Sequence, residues 1–240
     1  MARDRWKPVE RELRRTVGPL IAGVDEVGRG PLAGPVVACA VIMPPDIRAI
    51  AGVDDSKRLS PDQRRRLAVK IRARAITIGI GAASVREIDR VNIYQATVVA
   101  MRRALSRLSV VPNHVLVDGK PFRTLDTPHT AIVGGDDVCY TIACASIIAK
   151  VTRDRIMQAL AGRYPNYLWE RNVGYCTMAH LKGLAAHGVT PHHRRSFIPV
   201  RQLSLDFTGG DMPQLDVAAL TTLIDMSVVG ADEDPHFAGD

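Results

Sequence analysis

Two adjacent carboxylates near the start of the chain are the first residues whose types and spacing could do chemistry. Asp25 and Glu26 follow the apolar run 21–24, which predicts a strand, and precede the glycine-rich turn Gly28-Arg29-Gly30-Pro31. We expect this turn to end the strand, so that both acids converge on one site instead of facing opposite ways. The turn would offer backbone groups and one cation to an anionic ligand. The string alone leaves open a surface hairpin with two solvated acids.

Two later segments repeat the pattern of an apolar strand that ends in glycine and acid. The strand 114–117 leads into Asp118-Gly119, and the strand 131–133 leads into Gly134-Gly135-Asp136-Asp137. Ligands bind at the carboxyl edge of parallel strands, so we expect these acids to gather at one edge of a sheet. Acids follow three predicted strands in the same way, so a chance arrangement is a poor explanation of the pattern.

Carboxylates with no His or Cys close to them in sequence predict a site for hard divalent cations, Mg²⁺ or Mn²⁺ rather than zinc. Two such ions about 3.5 to 4 Å apart could activate water and stabilise the leaving oxygen of a phosphodiester. Because crowded carboxylates repel one another, we expect the site to need metal to hold its geometry.

The charge distribution favours a polyanionic partner. The 240 residues carry a formal net charge of +7, but residues 208–240 hold seven acids and no Lys or Arg, so residues 1–207 carry +14. Because Lys and Arg contacts release counterions from a polyanion, nucleic acid is the most plausible partner of such a body. An arginine-rich composition without any function could give a similar excess.

The rest of the pattern supplies elements that must position these acids. The apolar run 35–43 predicts a buried strand antiparallel to the first one, and the Ile-Gly alternation of 76–83 predicts a third strand. A capping box marks a helix start at Ser60, and Asn92 caps another helix. Further helices are predicted over 140–160 and 178–186.

The composition favours a cytoplasmic protein. No apolar run approaches the ~20 residues that span a bilayer, and we expect no secretion signal because no apolar stretch follows the charged N-terminal residues. The four cysteines fit neither a zinc site nor a disulfide framework. We therefore expect reduced thiols, no membrane association, and one main domain with a small appendage.

Several sequence blocks carry a family resemblance when they are taken together. They are 23–37, 55–60, 87–93 with Ala96-Thr97, 117–120, 135–136, 145–151 with Arg153-Asp154, Gly174-Tyr175 with Thr177 and His180, and 193–197. Each block is weak by itself, but their joint occurrence at compatible spacing is specific. Over most of residues 20–199 the chain resembles bacterial ribonuclease HII, also called type 2 ribonuclease H.

The resemblance implies an RNase H-like α/β fold, with a mixed five-stranded sheet flanked by helices and a small helical C-terminal lobe. It divides the chain into four parts. These are a basic leader (1–19), a catalytic domain (20–162), a lobe that lines the substrate groove (163–207) and an acidic, partly disordered tail (208–240).

The resemblance also implies an activity. The expected reaction is metal-dependent hydrolysis of the RNA strand of RNA/DNA hybrids, including incision on the 5′ side of a ribonucleotide embedded in duplex DNA. The family's role would be ribonucleotide excision repair and removal of RNA primers. Two alternatives remain open: another RNase H-like nuclease such as a junction resolvase, which would ignore ribose, and a nucleic-acid-binding scaffold that has lost catalysis.

The family's functional residues map onto specific positions of this chain. Asp25, Glu26, Asp118 and Asp136 fall on the acids that bind two Mn²⁺ or Mg²⁺ ions, and Asp137 is the alternative to Asp136. The backbone of Gly28-Arg29-Gly30 would read the 2′-hydroxyl, which distinguishes ribose from deoxyribose. Tyr175 would stack on the adjacent deoxyribose. The residues expected to contact phosphates or support the site are Lys57, Ser146 and Lys150.

A short peptide near the end of the basic region has the form of sliding-clamp ligands. Gln202-Leu203-Ser204-Leu205-Asp206-Phe207 offers Gln, Leu and Phe as anchors. The alternation of Leu203, Leu205 and Phe207 favours an ordinary packed strand over a clamp ligand. We expect a monomer, with this peptide as a possible contact to a clamp.

Overall fold

The computed structural model describes Trp6, residues 9–45 and residues 48–206. The predicted acidic tail 208–240 and Phe207 of the clamp-like peptide lie outside the described residues. In the part of the chain that is described, no helix has the length and apolar character needed to cross a membrane.

Helices and strands alternate along the chain. The strands are β1 (Ile21–Val27), β2 (Val36–Ile42), β3 (Thr77–Ala83), β4 (His114–Asp118) and β5 (His129–Ile132). The helices are α1 (Val9–Thr16), α2 (Pro61–Arg74), α3 (Val85–Leu105), α4 (Gly135–Val138), α5 (Tyr140–Arg163), α6 (Trp169–Asn172), α7 (Met178–His187) and α8 (Ile198–Asp206). Short 3₁₀ turns cover Ser56–Arg58 and Pro165–Tyr167.

Within the described residues, five strands form one sheet in the order β3-β2-β1-β4-β5. β1 is antiparallel to β2 and parallel to β4, and β4 is parallel to β5. This mixed sheet and the antiparallel pairing of the first two strands confirm the predicted fold. β2 is buried along its whole length, which explains its unbroken apolar sequence.

Helix α2 has the predicted capping box: Ser60 Oγ accepts from Gln63 N, and Gln63 Oε1 accepts from Ser60 N. Helix α3 is bent at Asn92, whose φ of 68° is not helical. The Asn92 side chain accepts from Gln95 N at 3.0 Å, so it caps the second half of the bent helix as predicted.

The chain divides into two compact units that each combine separate segments. The first unit comprises residues 1–27, 37–83 and 97–153, and the second comprises 28–36, 84–96 and 154–240. The division into a catalytic domain and a lobe at residue 162 stays a prediction.

In the first unit, β1 and β3 lie very close to helices. A Cβ at Gly23 would overlap the backbone of Thr141 at the start of α5, and one at Gly81 would overlap the carbonyl of Ala100 in α3. Glycine at these positions lets the strand and helix backbones approach each other. The Ile-Gly alternation of β3 is therefore a packing feature as well as a strand pattern.

The second unit has an aromatic core. Trp169 is fully buried and its ring stacks on that of Tyr167, with 5.3 Å between the ring centroids. A short backbone ribbon joins residues 32–34 to residues 192–194: Arg194 N donates to the Leu32 carbonyl, and Gly34 N donates to the His192 carbonyl. The other apolar residues of this core are Leu32, Ala33, Met157, Ala161, Leu181, Leu184 and Val200.

Helix α8 corrects one expectation. The alternating pattern of Leu203, Leu205 and Phe207 predicts a packed strand, but the backbone is helical through Asp206. Pro199, near the start of α8, is compatible with a first helical turn, where its missing N–H costs nothing. The strand alternative is therefore wrong up to residue 206, and the clamp contact through Gln202 to Phe207 stays a prediction.

Candidate active site

The parallel pairing of β1 with β4 places two candidate acids side by side. Val24 pairs with Val117, so Asp25 and Asp118 are the next residues on adjacent strands. Side chains at equivalent positions of neighbouring strands point to the same face of a sheet. Strand register thus brings together two acids that are far apart in sequence.

The third acid, Asp136, lies on the short helix α4 just after β5. Gly134 has a φ of 65°, which turns the chain, and the Gly135 N–H donates to Asp118 Oδ1 at 2.6 Å. One carboxylate oxygen each from Asp25, Asp118 and Asp136 lies within 4.8 Å of the others. Among the described residues this acidic trio is the one group of acids, His or Cys with such spacing.

Glu26 does not join the acidic trio. The glycine turn does not end the strand at Glu26, because β1 continues through Val27 and stays paired with β2. The expected reason for convergence, a strand that ends at these two acids, is therefore wrong, and the convergence of Asp25 and Glu26 on one site stays a prediction. Burial, followed by the charge of Glu26, raises the pKa of Asp25, so Glu26 still acts on the site. Its role as a metal ligand stays a prediction.

Burial and repulsion from neighbouring acids raise the pKa of two members of the trio, Asp25 and Asp136. Burial, then the charges of Glu26 and Asp118, raise the pKa of Asp25 well above its usual range. Burial, then the charges of Asp118 and Asp55, raise the pKa of Asp136 to about 6. A hard divalent cation with oxygen ligands would relieve this repulsion, so the donor set fits Mg²⁺ or Mn²⁺.

Lys57 and Lys150 flank this region in different ways. The Lys57 side chain is 82% exposed, and its Nζ lies 3.8 Å from Asp136 Oδ2. Its backbone N–H donates to Asp55 Oδ1, which caps the 3₁₀ turn. Lys150 lies on α5, one turn beyond Ser146, and is partly buried. Lys57 thus places an exposed cation beside an acid, and phosphate contact by either lysine stays a prediction.

Ser146 is buried against the acids. Its hydroxyl forms a hydrogen bond with Asp25 that opposes the rise in the pKa of that acid, and its Oγ lies 2.9 Å from Ser56 Oγ. This position suits the support of Asp25. Contact between Ser146 and a phosphate stays a prediction.

A buried arginine holds the glycine loop, which we define as residues 28–34. Arg194 donates to the carbonyls of Gly28 at 2.5 Å, of Arg29 at 2.7 Å and of Gly34 at 2.9 Å. Because trans peptides point C=O and N–H in opposite directions, the N–H groups of Arg29 and Gly30 face away from Arg194. The loop backbone is therefore oriented from within the second unit.

Tyr175 lies on a loop that is tied to the glycine loop. Gly174 has a φ of 89°, and its carbonyl accepts from Leu32 N at 2.8 Å. Tyr175 N donates to the Asn172 carbonyl, and the Tyr175 carbonyl accepts from His180 Nδ1, each at 2.9 Å. The Tyr175 side chain is 42% exposed. Its backbone is fixed while its ring stays accessible.

Comparison with known proteins gives a consistent match over most of the chain. The family Ribonuclease HII matches residues 22–200. The chain belongs to the ribonuclease HII family. It is 54% identical over 205 residues to the ribonuclease HII of Granulibacter bethesdensis, covering 84% of this chain and 94% of that protein. It is 59% identical over 180 residues to the ribonuclease HII of Thermosynechococcus vestitus, covering 74% and 83%.

A solved structure agrees with this assignment. The ribonuclease H2 of Pyrococcus horikoshii OT3 aligns with a TM-score of 0.68 at 28% identity, over 80% of this chain and 100% of that one. As a ribonuclease HII, the chain is a metal-dependent hydrolase, an endoribonuclease that acts on RNA/DNA hybrids.

Sequence reasoning missed the residues that hold the two loops of this ribonuclease HII. Arg194 and His193 belong to a block that the resemblance marks, but the sequence gives them no role. Asp89, in another marked block, accepts from the backbone N–H groups of Arg195 and Ser196. The signal available in the sequence was the joint occurrence of these distant blocks, which form one contact network within the second unit.

The repulsion within the trio predicts a pH-dependent stability difference. A carboxyl whose folded-state pKa is raised stabilises the protein below its unfolded pKa and loses that contribution as pH rises through the folded value. In chelator, Asp136→Asn should therefore gain stability over wild type by about 2 to 4 kcal/mol between pH 4 and pH 7. Urea unfolding of both proteins at each pH measures this difference, and titrations outside the site cancel in it.

Added metal should reduce the advantage of the variant at pH 7. Millimolar Mg²⁺ or Mn²⁺ should stabilise wild type more than Asp136→Asn, because binding to the folded state alone adds to the free energy of unfolding. A pH-independent difference in chelator, or equal metal effects on both proteins, would contradict the interpretation of the trio as a cation site.

Proposed function

We propose that this ribonuclease HII, besides cutting RNA/DNA hybrids, incises duplex DNA on the 5′ side of single embedded ribonucleotides. The reaction leaves 5′-phosphate and 3′-hydroxyl ends and serves ribonucleotide excision repair and removal of RNA primers. The observation that carries the proposal is the acidic trio of Asp25, Asp118 and Asp136, with carboxylate oxygens within 4.8 Å of one another, in a chain of this family.

The trio, with Glu26 as a fourth ligand, is assigned to two Mg²⁺ or Mn²⁺ ions. Bound ions would supply an activated water and stabilise the leaving oxygen of the phosphodiester. The chain prepares the ligands for this task. Gly135 N–H holds Asp118 Oδ1, and Glu26 N–H holds Asp25 Oδ1 at 2.8 Å. These bonds set the orientation of two carboxylates without a cation, which reduces reorganisation on binding.

Recognition of ribose is assigned to the glycine loop. The Arg194 guanidinium donates to the carbonyls of Gly28 and Arg29, so the N–H groups of Arg29 and Gly30 face away from Arg194. N–H groups held in this way can donate to a 2′-hydroxyl, the group that a deoxyribose lacks. A rigid loop rejects the deoxy analogue more strongly, because its polar groups would be left unpaired.

Recognition of the neighbouring deoxyribose is assigned to Tyr175. Its exposed ring offers an apolar face, and its backbone is fixed at both the N–H and the carbonyl. A sugar without a 2′-hydroxyl can lie flat against such a ring. Glycine loop and tyrosine together would then mark the junction between ribose and deoxyribose.

Three duplexes of one sequence test the proposal in the presence of Mg²⁺ or Mn²⁺: all DNA, DNA with one ribonucleotide, and a full RNA/DNA hybrid. We expect cutting of the second and third, at least roughly 10⁴-fold faster than of the first, because a site built around a hydroxyl rejects substrates that lack it. End-labelled products should place the cut in the second duplex on the 5′ side of the ribonucleotide.

Asp118→Asn provides the control for contaminating nucleases. Asn keeps an oxygen that can accept from Gly135 N–H, so the fold of the loop is retained while the ligand charge is lost. This variant should cut none of the duplexes. An uncut single-ribonucleotide duplex, or comparable cutting of all-DNA duplex by wild type, would overturn the proposed specificity.

A further inference from the structure

Two histidines that the proposed chemistry does not use form a buried pair in the second unit. His180 on α7 and His193 on the ribbon are fully buried, and their Nε2 atoms lie 3.0 Å apart. Trp169 Nε1 donates to His180 Nε2 at 3.0 Å, and Thr190 N donates to His193 Nδ1 at 2.9 Å. The pair therefore has hydrogen-bond partners at both ends.

These donors fix the protons on both rings. An indole N–H and a backbone N–H can only donate, so His180 Nε2 and His193 Nδ1 must be acceptors. The proton of each neutral ring then sits on the other nitrogen. His193 Nε2–H donates to His180 Nε2 and shares the single lone pair of that nitrogen with the Trp169 N–H, and His180 Nδ1–H donates to the Tyr175 carbonyl at 2.9 Å. The chain of bonds has one direction, from Thr190 to Tyr175.

The same geometry favours the neutral form of both rings. A proton added to His180 Nε2 would face two N–H donors, and one added to His193 Nδ1 would face the Thr190 N–H, with the Thr190 hydroxyl oxygen also 3.0 Å from that nitrogen. Burial lowers the pKa of His180 to about 4, and burial with the charges of His180 and His192 lowers that of His193 to about 3. The titratable or charged groups near the pair include Tyr167 and His192, and Arg163 acts on His192.

His193, at the Thr190 end of this series of hydrogen bonds, also contacts the glycine loop. His193 forms an isolated backbone bridge with Ala33, and the next residue, Arg194, holds the carbonyls of Gly28 and Arg29. One two-residue segment thus contacts the glycine loop directly and the Tyr175 loop through His180. The two proposed recognition elements share a single support.

We propose that His180 and His193 are positioning residues for the junction between ribose and deoxyribose, acting through the Tyr175 carbonyl to set the place of its ring relative to the glycine loop. This inference rests on the proposed function of Tyr175 and of the glycine loop. It differs from a purely structural role, in which loss of the pair would weaken the fold and lower all activities in the same proportion.

The test uses the full-length protein and one measured quantity, the junction preference. We define it as kcat/KM for the single-ribonucleotide duplex divided by kcat/KM for the full hybrid. His180→Leu removes the side-chain donor to the Tyr175 carbonyl and leaves the Thr177 N–H, at 2.9 Å, in place, whereas His180→Asn keeps a side-chain N–H donor near the position of Nδ1. His187→Leu is the matched control, since His187 is an exposed histidine on the same helix.

His180→Leu should lower the junction preference roughly 10- to 100-fold, the cost of a misplacement on the order of 1 Å. His180→Asn should restore most of it, and His187→Leu should leave it unchanged. In a Tyr175→Ala background, His180→Leu should cause no further loss, because residues that act through one another are not additive. A proportional loss on both substrates, or full additivity with Tyr175→Ala, would overturn the proposal.

A measurement independent of activity separates this inference from the proposed function. Nitrogen chemical shifts of the imidazoles in wild type at pH 5.5 should show His180 with its proton on Nδ1 and His193 with its proton on Nε2. An ordinary histidine, with a pKa of about 6.5, is mostly charged at that pH. Charged rings or the opposite tautomers would overturn the positioning pair even if cleavage follows the proposed specificity. The imidazoles could instead show the expected tautomers while the wild-type enzyme does not cut at the junction between ribose and deoxyribose. That result would overturn the proposed function and, with it, this inference.

Discussion

Replacing Asp136 by Asn is expected to lower the rate of hybrid cleavage roughly 1,000-fold, about 4 kcal/mol of lost transition-state stabilisation, because the proposed metal ligand would lose its charge. Replacing the adjacent Asp137 by Asn should leave the rate within about threefold of wild type, because surface substitutions have small effects. In the sequence, Asp136 and Asp137 are both candidates for the third acid beside Asp25 and Asp118.

The structure separates the two acids by their surroundings. Asp136 is 5% exposed, and one of its carboxylate oxygens lies within 4.8 Å of those of Asp25 and Asp118. The Asp137 side chain is 45% exposed and pairs with Arg58 at 2.6 Å. A cation shared with Asp25 and Asp118 can therefore use Asp136, whereas Asp137 belongs to a surface ion pair.

Single-turnover cleavage of a full RNA/DNA hybrid in saturating Mg²⁺ or Mn²⁺ measures both effects on the chemical step. Circular dichroism and the midpoint of thermal unfolding check that each variant is folded. Equal losses in the two variants, or a larger loss in Asp137→Asn, would show that the assignment of the third acid is off by one residue.

Replacing Arg194 by Met is expected to lower the free energy of unfolding by about 3 to 5 kcal/mol, because the buried carbonyls that it holds would lose a charged donor. Those carbonyls belong to Gly28, Arg29 and Gly34. Met fills much of the same volume, so the loss reflects the hydrogen bonds more than a cavity. The neighbouring Arg195 has an exposed side chain, and Arg195→Met should change the free energy by no more than about 0.5 kcal/mol.

Urea unfolding of the two variants and wild type, in chelator and at one pH, gives the comparison. Arg194→Lys provides a second comparison. A single ammonium group cannot reproduce the planar guanidinium, so Lys should restore only part of the lost free energy of unfolding. If Arg194→Met were as stable as wild type, the glycine loop would not depend on this arginine for its backbone orientation.

Much of the local structure could be predicted from the sequence. The capping box at Ser60, the cap at Asn92, the strand before Asp25 and the apolar β2 all follow from residues close together in the chain. Such features depend on local hydrogen bonds and on side-chain periodicity, which a sequence displays directly. The boundaries moved by a few residues, as at α5, which extends to Arg163 beyond the predicted end at 160.

The membership of the acidic site could be predicted only in part. The expectation that the turn would end the strand at Asp25 and Glu26 is wrong, because β1 stays paired with β2 through Val27. Asp25, Asp118 and Asp136 come together through the parallel register of β1 with β4 and through the turn at Gly134. Register between strands is set by the packing of the whole sheet and not by the acids themselves.

The sequence by itself determined the family, the mixed sheet and the set of acids from which the site is drawn, since block spacing and strand-end patterns are properties of the linear chain. Only the tertiary structure decided which acids share a site, and that Arg194 and the His180–His193 pair hold the two loops. Arg194 lies 166 residues from Gly28 along the chain. Contacts across such separations form only when distant segments pack together, because nothing in their local sequence fixes the geometry between them.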